Sequence, residues 1–167
     1  MPERISRRAV LAGAAALALT RAAPAAARSR DEGDALTALA LAEQQAAYVY
    51  RTAELGGHER VLAGQDAERA RALAVLLEAL GLAIPEPVGH RDGLPEAALA
   101  VLDARGAAGL RAAAAYEQTL IDACAAALGR LEEPNAIRTV ATVMAGHAQH
   151  QALLRQEAGI DPLSSAA

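Results

Sequence analysis

Five ionisable side chains interrupt stripes of the sequence that otherwise read as apolar. His147 and His150 lie in the series Val140, Val143, His147, His150, Leu154. Glu43 lies in Leu36, Leu39, Ala40, Glu43, Ala46, Ala47, Tyr50, and Glu117 in Leu110, Ala113, Glu117, Leu120, Ile121, Cys124, Leu128. Asp66 lies in Leu62, Asp66, Leu73, Leu77, Leu80, with Arg69 following it at i+3. On a helix, residues three or four apart stand side by side, so each series faces one direction. Burying imidazoles and carboxylates costs free energy unless something binds them. Carboxylate oxygens and imidazole nitrogens are the donors that suit iron, manganese or zinc. A carboxylate-bridged centre inside a helical bundle draws such side chains from all four helices, which is the distribution found here.

Charge allows two ways of closing such a cluster, and the sequence leaves both open. Glu43, Asp66 and Glu117 oppose Arg69, and the remaining negative charge matches one divalent cation held with His147 and His150. Alternatively both histidines are protonated and the cluster balances without metal; burial disfavours imidazolium, while nearby carboxylates favour it. Each residue also has a plainer reading. Asp66 and Arg69 make an i, i+3 surface ion pair worth a few tenths of a kcal/mol, by the usual order of magnitude. Glu43 and Glu117 sit at the edge of their stripes and reach solvent. Tyr48 and Tyr50 pack, and Cys124 is a small buried apolar residue.

The elements that must position these groups are helices. Alanine and leucine dominate the apolar content, aromatic residues are only 2%, and Phe and Trp are absent, which disfavours a sheet. Start and stop signals give main helices over 34–55 (Asp34 as N-cap, Gly56-Gly57 as stop), 58–80, 107–128 and 134–158 (Pro134 at the start, Gly159 at the stop). A short helix fits 95–104, with Gly106 and Gly109 breaking it. The long connection at 81–95 suits a crossover between two helical hairpins. The expected fold is therefore all-α: an antiparallel four-helix bundle over 34–163, preceded by a charged, disordered linker at 28–33 and followed by a disordered tail at 164–167.

Residues 1–27 read as an export signal: Arg4, Arg7 and Arg8, then the apolar Ala9 to Leu19, then Pro24-Ala25-Ala26-Ala27 as a small-residue cleavage site. Ser6-Arg7-Arg8-Ala9-Val10-Leu11 resembles the twin-arginine signal. The apolar run is too short to span a bilayer, where about 20 residues are needed. Cys124 is the single cysteine, which excludes an intramolecular disulfide, a cysteine-based zinc site and a lipoprotein anchor near the leader. The net charge of −4 becomes more acidic once the arginine-rich leader is removed, so neither nucleic acid nor a stable membrane anchor is expected.

Three segments carry a family resemblance. These are Ala42-Glu43-Gln44-Gln45-Ala46-Ala47-Tyr48-Val49-Tyr50, Gln65-Asp66-Ala67-Glu68-Arg69-Ala70-Arg71-Ala72-Leu73, and Val143 to Gln156 with its ending Gly159-Ile160-Asp161-Pro162-Leu163. They resemble bacterial ferritin-like proteins exported by a twin-arginine leader, as does Tyr116-Glu117-Gln118 at the third-helix glutamate. The resemblance implies a ferritin-like bundle with metal ligands at the matching Glu43, Glu117 and His150; Asp66 and His147, at positions where the family has glutamate, complete the candidate ligand set. It implies redox or peroxide-related chemistry at a bound divalent metal, in the periplasm, cell envelope or extracellular space. The chain departs from the family's paired Glu-then-His pattern at two places. Asp66 and Arg69 replace one pair, and in the other His147 replaces the glutamate while His150 agrees. Arg69 stays protonated and has no lone pair to offer a metal. The competing expectation is a metal-free, catalytically inactive bundle acting as a structural or interaction module. A large iron-storage cage is not expected, and a homodimer is the assembly this reading allows.

Overall fold

The computed structural model describes residues 30–161, and over these the chain is a bundle of five helices with no strand among the described residues. They are α1 (Arg30–Thr52), α2 (Glu59–Ala79), α3 (Glu96–Asp103), α4 (Gly106–Leu128) and α5 (Pro134–Glu157). The expected leader at 1–27 and tail at 164–167 lie outside the described residues. α1 packs along α2 and α4 along α5, while the short α3 packs on α4 and touches α1. Among the described residues no helix is long and apolar enough to cross a membrane.

Glycine sets the first turn. Gly56 and Gly57 adopt φ values of 69° and 103°, a region that side chains with a Cβ rarely enter, and α2 starts two residues later. Gly109 does not break a helix, as its position suggested; it lies inside α4, where an added Cβ would meet the Leu55 side chain at 3.3 Å. The long connection after α2 is tied to α1 by Gln44, whose Nε2 donates to the Pro85 carbonyl at 3.1 Å.

α1 begins at Arg30, not at Asp34, so residues 30–33 of the expected disordered linker are helical. Long-range partners hold this turn. The Glu32 carboxylate is buried, and its Oε1 accepts the backbone N–H groups of Glu132 at 3.1 Å and Glu133 at 3.0 Å. Gly33 lies against Leu82. Glu133 in turn caps α5 by accepting from the Ala136 N–H at 2.7 Å. Glu32→Ala is expected to lower stability by about 1–3 kcal/mol, because two backbone donors lose a charged acceptor. A urea-unfolding free energy that changes by less than about 0.5 kcal/mol would show the clamp to be dispensable.

The apolar interior divides into two clusters. One contains Tyr50, Leu55, Leu62, Leu94, Val101, Tyr116, Leu120 and Leu154. The other contains Leu36, Leu39, Leu73, Leu77, Cys124, Val140 and Val143. On α1, Glu43 falls between Ala40 of the second cluster and Ala46 of the first; on α2, Asp66 falls between Ala63 and Leu73. On α5, His147 and His150 fall between Val143 and Leu154. On these three helices the polar residues thus fall between the two clusters, while on α4 Glu117 lies between Ala113 and Leu120 of the first.

Candidate metal centre

The structure brings all five sequence-predicted side chains into one polar layer, and each is buried: Glu43 from α1, Asp66 from α2, Glu117 from α4, His147 and His150 from α5. The plainer reading of Glu43 and Glu117 as edge residues reaching water does not hold, since they are 1% and 0% exposed. Asp66 and Arg69 do not form a surface pair either: their side chains are 0% and 13% exposed.

His147 sits between two carboxylates. Its Nδ1 lies 2.7 Å from Glu117 Oε2, and its Nε2 lies 2.6 Å from Glu43 Oε1. The other oxygen of Glu117 accepts from the Tyr50 hydroxyl at 2.7 Å and faces His150 Nδ1 at 3.2 Å. His150 Nε2 meets Gln65 Oε1 at 2.5 Å. Arg69 closes the far side: Nη1 donates to Asp66 Oδ1 at 2.5 Å, and Nη1 and Nη2 stand 3.4 and 3.2 Å from the two ring nitrogens of His150. The network therefore runs from Glu43 through His147, Glu117 and His150 to Arg69 and Asp66.

Tyr50 and Gln65 are members that sequence reasoning did not place. Tyr50, a packing residue by its stripe, packs and also donates. A tyrosine two helical turns after Glu43 on the same stripe carried the signal. Gln65 is exposed as a whole, and only its amide reaches inward, so burial patterning does not find it.

Electrostatics in the layer follow from burial set against pairing. Burial and the neighbouring charges of Glu117 and Glu43 push the Asp66 carboxyl up to about 8, against the opposing pull of His147 and Arg69. Burial would also raise Glu117, but hydrogen bonds from His147 and His150 outweigh it and bring Glu117 down to about 2. Burial would lower His147, yet its bonds to Glu117 and Glu43 carry it up to about 10. The Tyr50 hydroxyl is raised by burial and by Glu117, which keeps it a donor. Burial, reinforced by Glu43, pushes the Cys124 thiol up to about 12, so this cysteine is an inert member of the core.

Asp66, His147 and His150 can each offer one ligand atom, and the three atoms lie within 4.8 Å of one another. Two carboxylate oxygens, Glu43 Oε2 and Asp66 Oδ2, are buried with no hydrogen-bond donor, as is the Tyr116 hydroxyl. Unsatisfied buried acceptors call for a cation or a proton, so this donor set fits a divalent metal. Both ring nitrogens of His147 meet carboxylates, Nδ1 at Glu117 and Nε2 at Glu43, so to coordinate a metal the ring would release one of them and keep the other as the carboxylate that orients it from behind.

No protein-family model matches the chain, and no curated protein matches it in sequence. Among solved structures, the fold is similar to that of a conserved hypothetical protein, rv2844, from Mycobacterium tuberculosis. The two share 18% identity over 84% of this chain and 99% of that one, with a TM-score of 0.66. At this identity the likeness is one of fold, and it places the chain among helical proteins of that shape.

Proposed function

We propose that this chain is an exported ferritin-like protein whose core binds one divalent cation through Asp66, His147 and His150. In this reading α1–α2 and α4–α5 are the two hairpins of an antiparallel four-helix bundle, and Glu43 or Glu117 holds the His147 ring. The observation that carries the proposal is the pair of donorless buried oxygens, Glu43 Oε2 and Asp66 Oδ2, beside that triad. A bound iron or manganese ion supplies redox or peroxide-related chemistry, and a zinc ion supplies a Lewis acid. The residues themselves exclude water and set the charge, and His147 would give up a ring proton and one of its two carboxylate partners to the ion. The Arg7-Arg8 leader supports export to the periplasm, the cell envelope or the medium.

A specific observation favours a second reading. Two atoms bound to one ion at about 2.0–2.2 Å stand roughly 3 Å or more apart. The contacts of His147 with Glu43 and Glu117, at 2.6 and 2.7 Å, are shorter and are those of shared protons. Arg69 also supplies a positive charge to Asp66. A metal-free structural or interaction module is therefore the alternative.

Metal analysis of protein folded with iron, manganese or zinc and then dialysed separates the two. A stoichiometry near one supports the metal protein, and one near zero supports the module. His150→Ala is expected to abolish tight binding in the first case. In the second it changes the pH dependence of stability and leaves metal content at background.

A further inference from the structure

The side of α5 that faces α2 carries a glycine where the helix has no evident need of one. Gly146 lies mid-helix and has ordinary helical φ. Alanine is ordinarily the better residue in a helix interior. A Cβ built there would collide with the Arg69 guanidinium, lying 2.8 Å from Cζ and 2.9 Å from Nε. The missing methyl group is thus a notch, and the guanidinium fills it.

From this notch Arg69 reaches both Asp66 and His150, two of the three ligands that one ion would share. Outward, Arg69 borders a cleft of about 690 Å³ between α2 and α5, lined also by Gln65, Thr142 and Gln149. The cleft gives the long, flexible side chain somewhere to go.

We propose that the Gly146 notch is a cation site of guanidinium shape filled by the protein's own Arg69, which competes with metal for Asp66 and His150 and yields by swinging into the α2–α5 cleft. Arg69 is then the residue that sets the affinity of the cluster. This deepens the metal reading and rests on it for the competition, while the notch itself stands independently. The planar guanidinium is what makes the site specific, since it donates to the Asp66 carboxylate while its flat group stands 3.2–3.4 Å from the His150 ring nitrogens, of which one at most can accept, and a lysine ammonium has no such plane.

The test uses the wild-type chain, Arg69→Ala and Gly146→Ala, each stripped of metal. Thermal stability is read with and without millimolar guanidinium chloride, far below denaturing concentrations, and with equal sodium chloride as control. Manganese and zinc binding are read by calorimetry. Arg69→Ala should lose stability, regain part of it with guanidinium and not with sodium, and bind metal roughly tenfold tighter or more, because a neighbouring positive charge is gone. Gly146→Ala should bind metal tighter than wild type although Arg69 is still present, and should gain nothing from guanidinium. Absence of guanidinium rescue in Arg69→Ala overturns the notch. Rescue together with equal metal affinity in all three proteins overturns the competition. Rescue with no metal bound by any protein upholds the notch and instead removes the metal function proposed above. Should Arg69→Ala fail to fold, a Gly146→Ala protein with wild-type metal affinity and stability overturns the notch on its own.

Discussion

His147→Ala is expected to destabilise the protein by about 3–5 kcal/mol, enough to unfold a domain of ordinary marginal stability. The reason is the position of the ring between two carboxylates that are 1% and 0% exposed. Removing it strands Glu43 in a dry layer, where it must either find a proton or admit water, and leaves Glu117 with Tyr50 and His150 on one oxygen and nothing on the other. The loss should shrink when Glu43 is neutralised first. In a double-mutant cycle with Glu43→Gln, the coupling should exceed about 1 kcal/mol, because the two residues share one hydrogen bond and one charge pair. Chemical denaturation of the four proteins measures this. A single variant within about 1 kcal/mol of wild type would mean that the layer is wet and that the carboxylates have other partners.

The second large effect is on pH. In the metal-free protein three groups of the layer bind protons differently when folded. His147 is raised from 6.5 to about 10, so its contribution is complete below 6.5 and is lost as pH climbs through 10. Asp66 is raised from 3.8 to about 8, so the folded chain holds a proton that the unfolded chain has released, and stability falls across that window. Glu117 is lowered from 4.5 to about 2, so its contribution is present above 4.5 and is lost as pH falls toward 2. Stability should therefore peak between 3.8 and 4.5, where the rise from Glu117 ends and the fall from Asp66 begins, and decline from there. Between pH 6.5 and 8 both Asp66 and His147 act in the same direction. The decline there should be about 1–3 kcal/mol per pH unit, since one proton is worth about 1.4 kcal/mol per unit. Thermal melts in a chelating buffer from pH 5 to 9 test it, and a flat or rising profile above pH 6.5 would contradict the network. A bound divalent ion should flatten the alkaline limb, because it takes the place of the Asp66 proton.

Much of this layer was legible before any coordinates, because helical periodicity is a local property. Glu43, Glu117 and His147 interrupt stripes of leucine and alanine, and the repeat alone shows which way they point. Pro134, Gly56-Gly57 and Gly159 marked helix ends for equally local reasons. What stayed hidden depends on distant parts of the chain. The charged start Arg30-Asp31-Glu32-Gly33 looks like solvated linker, and nothing nearby indicates that Glu32 meets backbone donors 100 residues away. Arg69 reads as the surface partner of Asp66, because sequence cannot show that α5 has a notch at Gly146 to receive it. Exposed Gln65 reaches the layer only through its terminal amide, which composition does not reveal.

The two apolar clusters on either side of the charged layer on α1, α2 and α5 have a consequence for how the helices can slide. A helix displaced by one turn, about 5.4 Å, would keep its greasy stripe in contact with its neighbours and lose little from packing alone. Here such a slip would drive Glu43 or Asp66 into a leucine layer and leave a charge without its counterpart. Alanine-rich rods slide easily past one another, and this waist makes such a slip costly, with or without an ion.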